Sequence, residues 1–210
     1  GHRSYASGHF DIATAQLRAM QERDEVVMAT PVYQCPHTEN NVHLTAEGSW
    51  LLGEYFGRAL FWTLFLGKKW QPLHPVDVSW TTTHIDIQYH VPVKPIQIST
   101  LVCTAAENSG FDVWTAEGTL ISDAISGVSV LSDDTIRVAL NPAATIPITA
   151  AICYGRGRDV LPRASGPVNG ARGNVMDSHG LYDTAVSPLG NTFALYNVSA
   201  MFKHDRIKGF

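Results

Sequence analysis

Apolar residues recur at helical spacing across residues 10–23, with Asp11 at the favourable N-terminal end, and predict an amphipathic helix with one buried face. Residues 25–32 form a continuous apolar run stopped by Pro31, the pattern of a short strand buried on both faces of a parallel sheet. A polar loop over 33–42 follows. Thr45 then offers an N-cap with Glu47 in the first turn, and the periodicity predicts a helix to about Leu66, where Gly67 suits the C′ position. Leu51, Leu52, Tyr55, Phe56, Leu60, Phe61, Leu64 and Phe65 make this helix apolar around much of its circumference, so burial on more than one side is expected. Gly48, Gly53 and Gly57 each cost up to ~1 kcal/mol relative to alanine, which points to close approach of a neighbouring backbone.

Residues 70–75, with Pro72 and Pro75, read as a linker, after which the pattern changes. Short Val-, Ile- and Thr-rich runs at 85–91, 96–101, 113–114, 127–131, 135–140 and 148–154 are separated by turn signals such as Asn108-Ser109-Gly110, Ser132-Asp133-Asp134 and Asn141-Pro142. They predict an antiparallel β-sandwich, with 193–202 returning as a last strand and the residues from Lys203 onward as a fraying tail. Residues 155–174 make a long irregular loop carrying Arg156, Arg158, Arg163 and Arg172, either a functional loop or one tied down by its guanidinium groups. The expected organisation is an α/β fragment over residues 1–72 followed by a β-sandwich domain over 76–210. Two helices and one buried strand cannot cover each other, so the α/β part is expected to be completed by an upstream half, another polypeptide or an oligomer. The start at Gly1-His2-Arg3-Ser4 fits a processed, tagged or truncated terminus.

Composition narrows the partners. The chain has 210 residues, 45% hydrophobic, and a net charge of −4 from 15 basic and 19 acidic residues. That balance supplies no broad basic surface to neutralise phosphates, so no nucleic acid partner is expected. The most apolar stretch, 59–66, is too short to span a bilayer, and no membrane partner is expected. Cys35, Cys103 and Cys153 are odd in number and widely spaced, indicating neither a zinc site nor a disulfide framework and leaving the compartment open.

The candidate chemistry lies in Asn40-Asn41-Val42-His43-Leu44-Thr45-Ala46-Glu47-Gly48. A neutral imidazole held on a loop at the mouth of a helix accepts a proton near pH 7, which makes His43 a candidate general base; the same ring can also simply be satisfied near a helix cap. An apolar strand, a polar loop, Asn40-Asn41-Val42-His43 and a long helix together resemble the last catalytic block of the SGNH (GDSL-like) esterase superfamily. In detail the chain is similar to bacterial and phage carbohydrate O-acetylesterases of the sialate type, and Gly170-Ala171-Arg172-Gly173-Asn174 with Asp177-Ser178 resembles a further loop of that group.

The resemblance implies that residues 1–72 are the C-terminal part of a flavodoxin-like hydrolase domain, with His43 the catalytic base and Asn40 at the place of the family's aspartate. Asn40 lacks the charge that stabilises imidazolium but can still orient the ring, and neighbouring Glu39 is an alternative. The Gly-Asp-Ser block and the oxyanion-hole Gly and Asn of the family map onto no part of this chain; Asp177-Ser178, far downstream, is not that block. The implied activity is therefore acyl transfer on an acetylated carbohydrate, without a cofactor, with the nucleophilic serine supplied by an N-terminal half in the same precursor or a separate chain. A homo-oligomer is possible, and a secreted, periplasmic or virion location is favoured. The competing expectation is a non-catalytic carbohydrate-binding or virion structural module using Trp80 and Trp114. A metal site built from His37 and His43 with His74, His84 or His90 lacks zinc-ligand spacing.

Overall fold

The computed structural model describes residues 10–39, 42–158 and 165–210. Helix α1 (Asp11–Glu22) buries Ala13, Leu17 and Met20 along one face. Helix α2 (Ala46–Leu60) begins at Thr45, whose side chain accepts from Gly48 N, and runs on into a π-helical turn at Phe61–Phe65. Gly67 then closes the segment at φ +62°, a conformation that favours glycine. Both helices lie where the sequence places them. Gly48 also admits the close approach anticipated for it, since a Cβ there would sit 2.0 Å from Pro36 O.

Among the described residues, every pairing between the strands named below is antiparallel. Strands β1 (His74–Trp80), β2 (His84–His90), β5 (Ile125–Ser132) and β6 (Thr135–Leu140) form a four-stranded sheet in the order β1-β2-β6-β5. Strands β4 (Phe111–Trp114), β7 (Ala151–Tyr154) and β11 (Phe202–Asp205) form a three-stranded sheet with β7 in the middle. Two small ribbons complete the set: β3 (Gln97–Ile98) with β8 (Val175–Met176), and β9 (Thr184–Val186) with β10 (Thr192–Ala194). The described residues are thus β-rich, with several antiparallel sheets and two α-helices.

Alternation explains β2. Ile85, Ile87 and Tyr89 point into the core, while Asp86 on the other face meets Arg137, its register partner on β6, in a bidentate pair at 2.7 Å. Ile85, Ile87, Ile136 and Val138 from the four-stranded sheet share one hydrophobic cluster with Phe111, Ile152, Tyr154 and Phe202 from the three-stranded sheet. Leu17 and Met20 of α1 belong to the same cluster, so packing is continuous across the 72–76 boundary.

Four expectations change. Residues 26–31 run without turn or bend but pair with no strand, because no strand lies beside them among the described residues. The outer face of α2 is open: Phe56, Leu60, Phe61, Leu64 and Phe65 are exposed, and nothing lies within 4 Å of a Cβ built on Gly53 or Gly57. The stretch read as a linker is anchored, with Trp70 and Leu73 buried and β1 starting at His74. The expected tail is β11, in which Phe202 and His204 face inward between Lys203 and Asp205.

Candidate functional site

His43 sits on an exposed turn whose backbone is held from both sides. Thr38 donates to His43 O from its backbone N (2.9 Å) and from Oγ1 (3.1 Å), and His37 and Leu44 form an antiparallel bridge. Thr45 N donates to Pro36 O at 3.0 Å, the same carbonyl that crowds Gly48. Residues 36–38 and 43–45 are therefore bridged to each other and stapled to the first turn of α2, with His43 exposed beside the bridge. A histidine displayed on a fixed backbone at a helix mouth meets the geometric demand on a general base: reach without wandering.

Asn40, the other predicted site residue, lies outside the described residues, as does Asn41. Glu39, next to the His37–Leu44 bridge in sequence, is exposed. His37 points the other way: its Nδ1 donates to Cys35 O at 2.6 Å, and burial holds its pKa below the ordinary value. The remaining histidines of the metal alternative lie on strands β1 and β2, where the His74 ring packs on that of His90 at 5.3 Å. No group of three or more His, Cys, Asp or Glu side chains among the described residues is placed to hold a metal ion.

Asp177 and Ser178 are buried and occupied structurally. The Asp177 carboxylate accepts from His179 N, Asn197 N, Asn197 Nδ2 and Val93 N between 2.7 and 3.2 Å. Ser178 Oγ donates to Pro95 O and accepts from Gln97 Nε2, both at 2.7 Å, which leaves the hydroxyl no proton for an incoming base.

A polar network missed by sequence reasoning surrounds them. Arg58 reaches from α2 to Asn197 Oδ1 (2.9 Å), Asp183 Oδ2 (2.9 Å) and Leu195 O (3.1 Å), and His179 Nε2 lies 3.3 Å from the same Asp183 oxygen. Burial lowers the His179 pKa first, and the Arg58 charge lowers it further. Beside it Tyr55 Oη donates to Tyr196 O at 2.6 Å. The network fixes α2, and with it the His37–Leu44 bridge beside His43, to the loop region 177–197.

No protein-family model, curated protein or solved structure matches the chain. The site is therefore read from its own geometry.

In the stretch 155–174, Arg156, Arg158 and Arg172 are each held by neighbours. Arg172 donates to Thr104 O, Ala105 O and Gly170 O, and Arg158 bridges Asp112 and Glu107 across a cleft of about 180 Å³. Burial pushes Asp112 up to about 6 even though Arg158 pulls it down. Arg163 lies outside the described residues. The tryptophans considered for sugar stacking each carry a guanidinium over the ring, Arg156 on Trp114 at 3.7 Å and Arg206 on Trp80 at 5.3 Å.

Proposed function

We propose that this chain is the histidine-bearing part of a serine esterase of the SGNH type, acting on acetyl esters of carbohydrates, with the nucleophilic serine brought by a separate or upstream polypeptide segment. The observation that carries the reading is exposed His43, its carbonyl bonded by Thr38 and its position fixed just ahead of the N-terminus of α2, within the sequence motif Asn40-Asn41-Val42-His43. In this reading residues 1–72 are the C-terminal part of a flavodoxin-like domain, and the sheets of residues 76–210 are a β-sandwich accessory domain.

His43 takes the serine proton as the serine oxygen attacks the acetyl carbon, and it delivers that proton to the departing sugar oxygen. Water then gives a proton to His43 as its oxygen attacks the acyl carbon, and His43 returns that proton to the serine oxygen as acetate leaves. With an asparagine rather than a carboxylate at position 40, the imidazolium gains orientation but little charge stabilisation. Packing against Trp80 and Trp114 is already supplied by arginine side chains, which favours the catalytic reading over glycan stacking on those rings.

The test is His43→Ala in the chain assembled with the serine-bearing segment, assayed on p-nitrophenyl acetate. Turnover is expected to fall by at least about a thousandfold, the scale of a lost general base in a serine hydrolase. Retention of most of the activity rejects the assignment.

A further inference from the structure

Asn197 is locked by its neighbours into a single orientation. Its Oδ1 accepts from Arg58 Nη1 at 2.9 Å, and its Nδ2 donates to Asp177 Oδ2 at 2.7 Å. Turning the amide over would set its NH₂ against the guanidinium and its oxygen against the carboxylate, so both bonds would be lost. The partners are themselves fixed. Arg58 lies over the rings of Tyr55 and Trp70 at 5.2 and 5.8 Å, and Asp177 Oδ1 accepts from the backbone N–H groups of His179 and Asn197. Asn197 and Asp177 are buried, so water is a poor substitute for either bond.

The locked amide dictates the state of a histidine. Asn197 Nδ2 lies 3.3 Å from His179 Nδ1, and because Nδ2 brings a hydrogen, Nδ1 must be bare to accept it. The ring proton then sits on Nε2, which lies 3.3 Å from Asp183 Oδ2. That same oxygen accepts from Arg58 Nη2 at 2.9 Å. His179 is thus neutral, with its tautomer chosen from both sides.

A second proton has no place in this arrangement. It would land on Nδ1, head-on against the Asn197 N–H, and would put a positive ring beside the Arg58 guanidinium. Among the described residues, the charged groups acting on the ring are Arg58 from α2, and Asp177 and Asp183 from the segment of His179 itself. The two carboxylates favour the imidazolium, but Asp183 is already shared with Arg58, and Asp177 already accepts from Val93, His179 and Asn197. Burial first, and Arg58 after it, hold the ring below its ordinary pKa. The side chain is 18% exposed, so solvent protons reach it.

We propose that His179, Asn197 and Asp183 form an acid-released latch, in which protonation of His179 at Nδ1 expels the ring from Asn197 and frees the turn 179–183 from α2. The turn is also joined to its neighbour by the bond from Leu195 N to Asp183 O at 2.9 Å, which opens with it. Above about pH 6.5 the ring is neutral and the latch closed; as pH falls below that value the released ring takes up a proton that the held ring refuses. The latch goes beyond the esterase reading and does not depend on it. Its consequence for that reading is that α2, with His43 just ahead of it, is fully held only near neutral pH.

The experiment uses the full chain. Nitrogen NMR of the labelled imidazoles at about pH 7.5 is expected to show His179 with a bare Nδ1 and a protonated Nε2. Amide exchange, corrected for its intrinsic pH dependence, is then compared between about pH 7.5 and pH 5, with the amides of β2 as the reference for global opening. The Leu195 and Asn197 amides should speed up by at least about tenfold relative to β2. His179→Gln, whose side-chain amide donates and accepts without ever gaining a charge, should abolish that extra acceleration. An Nδ1–H tautomer at neutral pH, Leu195 and Asn197 amides that only track β2, or a full acid response retained by His179→Gln would each overturn the proposal.

Discussion

Arg58 shows how much one side chain can decide. Its side chain is only 7% exposed, and it satisfies Asn197, Asp183 and the Leu195 carbonyl at once, so removing it strands acceptors whose alternative hydration is poor. Arg58→Met is expected to cost roughly 2–3 kcal/mol, less than the loss of a fully buried pair because Asp183 keeps access to water. In urea melts, a double-mutant cycle with Asp183→Asn should return a coupling of about 1 kcal/mol or more; additive costs would show that the two do not act together. Sequence reading had no route to this cluster. Arg58 and Asp183 stand 125 positions apart, and on a helix otherwise read as apolar an arginine looks like an ordinary surface charge. The capped start of α2 just after His43, by contrast, was legible because its signal is local: a polar loop, a capping threonine and a helix start in direct succession.

Among the elements, α2 carries three glycines with opposite consequences. Gly48→Ala places a methyl 2.0 Å from Pro36 O and should destabilise by about 1–3 kcal/mol, loosening the contact between Pro36 and the first turn of α2 beside His43. Gly53→Ala meets nothing within 4 Å and should stabilise the isolated chain by roughly 0.5–1 kcal/mol through helix propensity alone. Thermal melts of the two variants should move in opposite directions, and a shared sign would refute the contrast. Strands β2 and β6 were readable because they alternate, and an alternating strand names its own buried face. Residues 26–31 were not, because a continuous apolar run states that neighbours are needed without providing them. The segment after Phe202 was misread for another reason: Lys203, Asp205 and Arg206 look like a solvated tail, although the charges of Lys203 and Asp205 lie on the outward face of a strand whose inward face is Phe202 and His204.

For the whole molecule, buried histidines set the response to acid. Burial, with a smaller push from His90, holds His74 at about 4, against the hydrogen bond to Pro72 O that raises it. The folded state thus keeps His74 neutral down to that pH, while the unfolded chain protonates it from about 6.5. Between those values the unfolded state binds more protons, so stability present above 6.5 is lost as pH falls toward 4, by on the order of 3 kcal/mol. Burial lowers His90, His179 and His204 in the same sense. Asp112 runs opposite: raised to about 6, it contributes stability at low pH that fades as pH rises from its unfolded value of about 3.8. Comparing the chain with His74→Phe isolates one contribution. Going from pH 7 to 4.5, the parent should lose about 2–3 kcal/mol more than the variant, and parallel losses would rule out the buried neutral ring.

The position of β11 bears on synthesis. Phe202 closes the three-stranded sheet and shares its cluster with Leu17 and Met20, so the first helix waits for a strand made almost two hundred residues later. A ribosome-bound chain stopped before Phe202 would hold α1, β4 and β7 with their apolar faces uncovered, a species open to chaperones and to aggregation. Folding of this protein is thus an event that follows translation of β11 and does not keep pace with it.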